Sequence, residues 1–248
     1  MQPIMKKKCI FAHVMLKKDR YIAERACEFM GDFVDLLTPE QKESLLANVS
    51  VRTLKPGEEL YHEGNIPQFM CCVVSGHIKI SRLGVGGRNI ILRLIHDGGI
   101  FGYRSYFSKS QHITTATAVT RAVVYLVPLN VIDDWMCDNT ILTRFFVNEL
   151  AEDLGHSDQR LLNLTQKHLR GRLAEAILLL ADNFGFCADG QTIASEPSRE
   201  ELADMANMTR SNAIRTLSDF AKEKIVSVDH RRIAILDMQK LEMNSNFG

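Results

Sequence analysis

The chain of 248 residues carries 30 basic and 30 acidic side chains, so its formal net charge at neutral pH is zero. With 46% hydrophobic and 24% charged residues, it has the composition of a globular protein with one large or two ordinary domains. This balance excludes a polycation, so a nucleic-acid site has to be a local basic patch. No apolar run approaches membrane-spanning length, and we expect no membrane partner.

Six cysteines lie without the close spacing that zinc or iron–sulfur ligands show, at positions 9, 27, 71, 72, 137 and 187. Cys71 and Cys72 are adjacent within a strand-like run, so their side chains should point to opposite faces. The pattern predicts buried free thiols in a reducing cytoplasm, and no metal site.

Residues 1–30 form a basic, poorly patterned stretch that loosely resembles a signal peptide. Charged residues at 17–20 follow its short apolar part directly, and no small-residue cleavage site is present. We therefore expect an N-terminal extension over 1–30. Farther on, Thr38 as N-cap, Pro39 at the first helical position and Gln41 two residues later predict a helix start.

From Val49 to about Pro128 the hydrophobic pattern changes to strand-like runs. They cover residues 51–54, 59–62, 70–74, 77–83, 89–95 and 122–127. Turn residues such as Lys55-Pro56-Gly57 and Ser75-Gly76 separate them. Short strands at close spacing predict a compact antiparallel barrel or jelly roll.

The span 131–166 then predicts a long helix with an apolar seam. The seam alternates three- and four-residue steps through Val147, Leu150, Leu154, Ser157, Leu161 and Leu164. Such a seam pairs with a second copy or packs on its own domain. We favour dimerisation, because Trp135, Phe145 and Phe146 can serve the barrel side.

A further amphipathic helix over 169–184 ends at Gly185, and two short helices follow it. Ser198 and Glu201 predict a capping box, and Thr209 predicts a second N-cap after a break at Asn207-Met208. The expected buried positions of the two helices are Leu202, Met205 and Ala206, and then Ala213, Ile214 and Leu217.

Arg210, Ser211 and Arg215 project from the first turns of the second of these helices, away from its buried side, as a major groove requires. Strand-like runs at 225–228 and 233–236 flank Asp229-His-Arg-Arg and predict a hairpin with a basic tip. Between Ala206 and Arg232 the local charge is +3, from Arg210, Arg215, Lys222, Lys224, Arg231 and Arg232 against Asp219, Glu223 and Asp229. The order predicts a winged helix-turn-helix that binds DNA.

Over residues 31–240 the chain resembles the CRP/FNR family of bacterial transcription regulators. The resemblance is carried by the order of elements and by Lys55-Pro-Gly-Glu-Glu-Leu-Tyr-His-Glu-Gly, Val73-Val-Ser-Gly-His-Ile-Lys-Ile and Gly171-Arg172-Leu-Ala. It implies an α+β fold with an effector-sensing antiparallel β-roll over 31–130, similar to the cyclic-nucleotide-binding jelly roll. A dimerisation helix over 131–166 and a C-terminal winged helix-turn-helix over 167–248 complete the expected organisation.

The resemblance also implies a cytoplasmic homodimer that couples a sensed signal to a palindromic double-stranded operator, with RNA polymerase as a further partner. Two recognition helices ~34 Å apart would read the two half-sites. The base-reading positions fall on Arg210, Ser211 and Arg215, of which Arg210 would contact either a base or a phosphate. Ser211 departs from a glutamate that many members carry. Arg215 matches the family and would bind guanine, while Thr209, Asn212, Ser198 and Arg199 are expected at phosphates.

The sequence is less informative about the effector that the β-roll senses. In cyclic-AMP binders of this family a Gly-Glu pair holds the ribose and an Arg-Ser/Thr pair holds the phosphate. Here Gly102 matches, Tyr103 replaces the acid, and Thr114-Thr115 replaces Arg-Ser/Thr, with Arg104 nearby. Ser157 and Asp158 fall where binders contact adenine across the dimer. These seven residues are the effector-pocket candidates, and the missing acid and arginine disfavour cyclic AMP.

Other family branches hold an iron–sulfur cluster, which the cysteine spacing disfavours, or a haem that senses carbon monoxide or nitric oxide. Axial ligands for a haem are available in His77, His96, His112, Met70, Cys71 and Cys72, so a haem-dependent sensor stays open. An enzyme is disfavoured because the chain shows no cupin-type metal motif and no Ser/His/Asp set, and Gly84-Val-Gly86-Gly87 predicts a hairpin turn. A ligand-binding barrel that does not bind DNA is the remaining class.

Overall fold

A computed structural model describes residues 30–84 and 87–247, without the side chains of Asp32 and Phe247. The predicted N-terminal extension lies outside the described residues, apart from Met30. The first part of the described chain contains α1 (Gly31–Asp35), α2 (Pro39–Asn48), β1 (Ser50–Leu54), β2 (Glu59–Tyr61), β3 (Phe69–Ser75), β4 (Ile78–Leu83), β5 (Asn89–Ile95), β6 (Ile100–Phe101), α3 (Arg104–Phe107), β7 (Thr115–Ala118) and β8 (Ala122–Pro128).

The second part contains α4 (Leu129–Asp138), α5 (Thr140–Gln166), α6 (Leu169–Phe184), α7 (Arg199–Met205), α8 (Arg210–Lys222), β9 (Val226–Asp229), β10 (Arg232–Ile235) and α9 (Met238–Phe247). No helix among those described is both long and apolar enough to cross a membrane.

The predicted start of α2 is confirmed in detail. Thr38 Oγ1 accepts a hydrogen bond from the Gln41 amide at 3.3 Å, and Gln41 Oε1 accepts one from the Thr38 amide at 3.1 Å. Together with Pro39 at the first helical position, this capping box satisfies N–H groups that have no partner inside the helix.

The predicted β-roll is confirmed as two four-stranded sheets, with strand orders β1-β8-β3-β6 and β2-β7-β4-β5. Both sheets contribute to the core between them, which includes Leu54, Val73, Ile78, Phe101 and Ala116. Strands β6 and β7 were not among the predicted runs. Strand β7 consists of Thr115-Ala-Thr-Ala, whose small side chains give little hydrophobic pattern, and its pairing with β2 fixes it as a strand.

The first of these sheets is covered on both faces. Cys71 points into the core between the sheets, and Cys72 points into a second cluster with residues of α1, α2, α4 and α5. Opposite faces are therefore confirmed. Burial raises the pKa of both thiols, that of Cys72 to about 12, which keeps them protonated and unreactive. The expectation of burial is wrong for Cys137, which is exposed at the end of α4.

The predicted dimerisation span contains two helices rather than one. The break lies at Asn139, whose Oδ1 accepts a hydrogen bond from the Leu142 amide at 2.9 Å. Its Nδ2 donates to Leu36 O and Gln41 Oε1, each at 2.8 Å. The long helix α5 therefore begins at Thr140, beyond the predicted start at Val131, and it carries the whole seam.

The described chain divides into two compact units. One contains the residues up to Ile80 together with Ile95–Ala151, and the other contains Ser81–Leu94 together with Glu152 onward. The boundary thus falls inside α5 rather than at the predicted position 166/167. The outer part of the β4–β5 hairpin groups with the winged helix-turn-helix.

The second unit has a core of its own. It is formed by residues of α6, α7, α8, the β9–β10 hairpin and α9, and it includes Ile91 of β5. Helix α6 ends as predicted at Gly185, whose φ of +67° lies in the left-handed region. The segment 191–193 pairs with β10, since the Ile193 amide donates to Ile233 O at 2.9 Å.

Candidate nucleic-acid interface and sensing region

The helix-turn-helix has the predicted caps. Ser198 Oγ accepts from the Glu201 amide at 3.1 Å, and Glu201 Oε2 accepts from the Ser198 amide at 3.0 Å, so α7 begins with a capping box. Thr209 Oγ1 accepts from the Asn212 amide at 3.2 Å and starts α8. Between the helices Asn207 adopts φ +46°, which reverses the chain and confirms the predicted break.

The buried side of the two helices is confirmed except at one residue. Leu202, Met205 and Ala206 are buried, but in α8 the buried residues are Ala213, Leu217 and Phe220, while Ile214 is 43% exposed. Residues four and seven positions after 213 return to the same face, whereas the next residue lies about 100° around the helix. The prediction for Ile214 is therefore wrong, and Phe220 takes its place.

The predicted base-reading residues lie at the surface of α8. Arg210, Ser211 and Arg215 are all exposed. Arg215 Nη2 donates to Asn212 Oδ1 at 3.0 Å, and Arg210 Nε lies 3.9 Å from Glu200 Oε2. Contacts between exposed groups of this kind contribute little stability, so both guanidinium groups can exchange them for acceptors on DNA.

The wing adds further cations beside this surface. Strands β9 and β10 pair Asp229 with Arg232, which leaves His230 and Arg231 as the turn. Arg231 Nη2 lies 3.7 Å from Glu201 Oε2, and Arg232 Nε lies 3.9 Å from Glu196 Oε1. Both arginines are more than half exposed, as the predicted basic hairpin tip requires.

Two residues expected at phosphates are engaged within the chain. Arg199 is half-buried and its Nη2 donates to His230 O at 2.5 Å, so it braces the wing turn. Burial, and then the charge of Arg231, lowers the pKa of Arg199. The Ser198 hydroxyl both accepts from the Glu201 amide and donates to Glu201 Oε2 at 3.0 Å. Phosphate contacts by these two side chains remain predictions that require these bonds to rearrange.

Sequence reasoning missed two arginines that contact the helix-turn-helix turn. Arg160 Nη2 donates to Met205 O at 3.3 Å, and Arg172 Nη1 donates to Asn207 O at 3.1 Å. Arg172 had a signal, because it belongs to the Gly171-Arg172-Leu-Ala motif. Arg160 had none, since a single arginine on a mostly polar stretch of helix resembles any solvent-exposed residue.

In the sensing region, the structure explains Gly102 and gives Tyr103 a packing role. Gly102 has φ +92°, and a Cβ there would lie 2.8 Å from Phe69 O, so the backbone itself requires glycine. Tyr103 is fully buried in the cluster on the helix side of the first sheet. Its ring lies 5.3 Å from that of Phe146, and its hydroxyl lies 3.5 Å from Glu149 Oε2.

The other effector-pocket candidates lie apart along the chain and have different surroundings. Arg104 is exposed at the start of α3, and Thr114 is half-buried just before β7. Thr115 Oγ1 accepts from the Glu63 amide at 3.1 Å. Ser157 and Asp158 are exposed on α5 within the second unit, and Ser157 Oγ donates to Asp153 O at 2.8 Å.

The candidate haem ligands occupy separate environments. Met70 and Cys72 lie in the helix-side cluster, and Cys71 lies between the sheets. His112 is buried and stacks on Tyr61 with ring centroids 3.8 Å apart, while His77 is half-buried and His96 exposed. Within residues 30–84 and 87–247, no group of three or more His, Cys, Asp or Glu side chains is arranged to hold a metal ion.

Two family models match the chain in the expected order. A cyclic nucleotide-binding domain matches residues 51–139, which cover the strands of the β-roll from β1 and helix α4. A Crp-like helix-turn-helix domain matches residues 171–243, which cover α7, α8 and the wing.

Similar proteins agree with this assignment. The transcriptional regulator LdrP of Thermus thermophilus is 30% identical over 185 residues, which are 75% of this chain and 91% of LdrP. A CRP-like cAMP-activated global transcriptional regulator of Mycobacterium tuberculosis is 24% identical over 75% of this chain and 83% of its own length. The structure of FixK2 from Bradyrhizobium japonicum shares the fold, with a TM-score of 0.69, 22% identity, and coverage of 79% of this chain and 96% of FixK2.

The β-roll and the capped helix-turn-helix with its wing thus coincide with the two matching family models. The chain belongs to the CRP/FNR family of transcription regulators, whose members are not enzymes.

Proposed function

We propose that the protein is a homodimer that binds a palindromic DNA operator, and that its β-roll senses the signal that controls this binding. Helix α8 is the observation that carries the proposal. It buries Ala213, Leu217 and Phe220 and exposes Arg210, Ser211 and Arg215, of which Ser211 and Arg215 lie opposite the buried side. An exposed, basic N-terminal half of a helix fits the major groove of DNA.

Within this surface each residue type has a separate task. Arg215 donates two hydrogen bonds to O6 and N7 of a guanine after releasing Asn212. Ser211 has a short hydroxyl where many relatives carry glutamate, so the operator differs from theirs at that base pair. Thr209 and Asn212 lie at the start of α8, where unpaired amides and the helix dipole favour a phosphate. Arg210 contacts either a base or a phosphate.

The seam of α5 supports the dimer. Val147, Leu154 and Leu161 recur every seventh residue and are 58%, 62% and 61% exposed. Leu150, one step along the seam, packs partly against the helix-side cluster of its own unit. A row of large exposed apolar side chains is costly in water, and pairing with the same row of a second copy removes it.

For the signal, we propose something other than a cyclic nucleotide held by the pair of motifs that cyclic-AMP binders use. The support is the burial of Tyr103 at the position of their acidic residue, together with Thr114 at the position of their arginine. The relative from Mycobacterium tuberculosis is cAMP-activated, whereas this chain carries Tyr103 and Thr114 at the two motif positions. The DNA-bound dimer would then act on RNA polymerase.

The DNA arm of the proposal is tested with purified protein and the DNA upstream of its own gene. We expect a mass twice the 28.0 kDa of the chain and a footprint over two inverted half-sites whose centres are ~34 Å apart. A monomer, or binding that no competitor DNA sequence distinguishes, would contradict it.

The signal arm is tested by absorption spectra of freshly purified anaerobic protein, with and without added haem. A Soret band on haem addition would establish haem sensing as the alternative, and flat spectra would leave the haem and iron–sulfur branches without support. Cyclic AMP added to the footprinting reaction should leave operator affinity unchanged, and a clear increase would contradict the proposal on Tyr103 and Thr114.

A further inference from the structure

Arg160 of α5 makes three hydrogen bonds to main-chain carbonyl groups within the second unit. Its Nη1 donates to Leu92 O at 3.1 Å, and its Nη2 donates to Ile91 O at 2.6 Å and to Met205 O at 3.3 Å. One side chain of the long helix thus holds both strand β5 and the end of α7.

The chemistry suits the site. Met205 ends α7, and its carbonyl is among the last four of that helix, which have no amide partner inside the helix. A planar guanidinium offers donors in a fixed fork and can serve several carbonyl groups at once. Burial lowers the pKa of Arg160 from its ordinary value, yet the group keeps its charge because its intrinsic pKa is so high. The three carbonyl acceptors replace part of the water that it loses.

Arg172 provides the matching bond from α6. Its Nη1 donates to Asn207 O, at the residue whose φ of +46° makes the turn. The carbonyl groups on either side of Ala206 are therefore each held by an arginine. In both Arg160 and Arg172 the Nε atom is buried and has no hydrogen-bond partner among the described residues. Each guanidinium therefore makes its carbonyl contacts while its Nε–H group stays buried and unpaired, which is unfavourable.

The two arginines differ in what they connect. Helices α6, α7 and α8 share one hydrophobic core, so Arg172 links parts that already pack together. Arg160 belongs to the helix that carries the exposed apolar seam. A polar contact from α5 to α6 also exists, since Glu175 accepts from Asn163 Nδ2 at 2.6 Å, and Lys167, just beyond the end of α5, donates to Glu175 at 3.0 Å. Only Arg160 among these α5 side chains bonds to the helix-turn-helix directly.

We propose that Arg160 is a positioning residue that fixes the helix-turn-helix turn to the dimerisation helix and thereby sets the half-site spacing that the dimer accepts. The inference rests on the proposed function, because spacing has meaning only for a dimer on a palindrome. In such a dimer the two α5 helices define the symmetry axis. The distance of each recognition helix from that axis depends on how firmly Met205 is held to α5.

The test compares Arg160→Met with Arg172→Met. Both variants remove a guanidinium–carbonyl bond at the same turn, and only the first cuts the link to α5. The DNA probes are an operator selected from a random library, the same operator with its central spacer one base pair longer or shorter, and a single half-site. We expect the wild type and Arg172→Met to bind the selected spacing more tightly than the altered spacings. In Arg160→Met the ratio of these affinities should fall about tenfold, while the affinity for a single half-site stays unchanged.

A wild-type spacing preference in Arg160→Met overturns the proposal, and so does an equal loss in Arg172→Met, which would indicate a general role in turn stability. If the wild type binds no selected DNA, the proposed function fails instead. Circular dichroism and thermal midpoints establish that the variants fold. Should Arg160→Met not fold, Arg160→Lys keeps the charge without the planar fork, and the same loss of preference supports the proposal while an unchanged preference overturns it.

Discussion

Arg215 carries the sharpest prediction at the scale of one residue. Its guanidinium is exposed and donates to Asn212 Oδ1, so a guanine can replace that partner at little cost. Arg215→Ala should weaken operator binding by ~1–3 kcal/mol and relax specificity at one base pair of each half-site. The measurement is the affinity of wild type and variant for operators in which each base pair is replaced in turn.

Arg210→Ala is the comparison variant, because Arg210 is also an exposed arginine of α8, beside Glu200, and contacts either a base or a phosphate. If Arg210→Ala weakens binding equally on all DNA sequences, Arg210 contacts a phosphate. If Arg215→Ala shows that uniform loss, Arg215 is not the base reader.

His112 predicts a pH dependence of stability. It is buried against Tyr61, and burial lowers its pKa from the ordinary 6.5. Because the unfolded chain binds the proton at a higher pH than the folded chain, the unfolding free energy should fall as the pH drops below 6.5. One proton contributes at most about 1.4 kcal/mol per pH unit.

The measurement is denaturant unfolding of wild type and His112→Phe at several pH values between 5 and 8. Phenylalanine keeps the stacking on Tyr61, and the main-chain bonds of residue 112 with Gly64 and Asn65 do not involve the side chain. The variant should lose the part of the slope that His112 causes. Identical slopes in the two proteins would show that His112 does not titrate on unfolding.

Residues whose roles are decided locally were predictable from sequence. A cap depends on a few consecutive residues, so Ser198, Glu201 and Thr209 could be assigned without knowledge of the fold. Tyr103, Arg199 and Arg160 could not. Their partners Glu149, His230 and Met205 are distant in sequence, and only the folded chain brings them within hydrogen-bond reach.

At the scale of elements, hydrophobic period predicted the strands and helices that have a strong pattern. It failed for β7, which is Thr115-Ala-Thr-Ala, and at Asn139, where no proline or glycine marks the break. That break is held by bonds from Asn139 to Leu36 and Gln41, about a hundred residues earlier. Contacts of this kind do not appear in any local pattern.

Helix α5 carries the prediction at this scale. Leu161→Glu places a charge on the exposed seam, where pairing with a second copy would bury it, so dimers and operator binding should be lost together. The measurement is mass by light scattering beside a gel shift. Gln159→Glu introduces the same charge at an exposed position on the other side of α5 and should leave both unchanged. A Leu161→Glu protein that stays dimeric and binds DNA would contradict the seam assignment.

At the scale of the whole molecule, each compact unit is built from two separate segments of the chain. Sequence reasoning divided the chain into consecutive segments, whereas residues 81–94 belong with 152 onward. A hairpin pattern predicts two paired strands and says nothing about which core receives their side chains. The division is visible in two isoleucines of β5: Ile91 is 3% exposed in the core of the second unit, and Ile95 is 4% exposed in the core between the sheets.

Because the two isoleucines lie in different cores, the same substitution at each can be compared directly. Ile91→Ala and Ile95→Ala remove the same atoms from one strand, and each should lower the unfolding free energy by about 2–5 kcal/mol through lost burial and a cavity. The effects should appear in different places. In hydrogen exchange, Ile91→Ala should reduce amide protection in α6, α7 and α8, whose buried residues belong to the same cluster, and leave the β3 and β8 amides protected. Ile95→Ala should reduce amide protection in β3 and β8 and leave the recognition helix protected.

If Ile91→Ala reduces protection only in the β-roll, the hairpin does not belong to the DNA-binding unit. The link that Arg160 makes from β5 to Met205 then loses its structural basis.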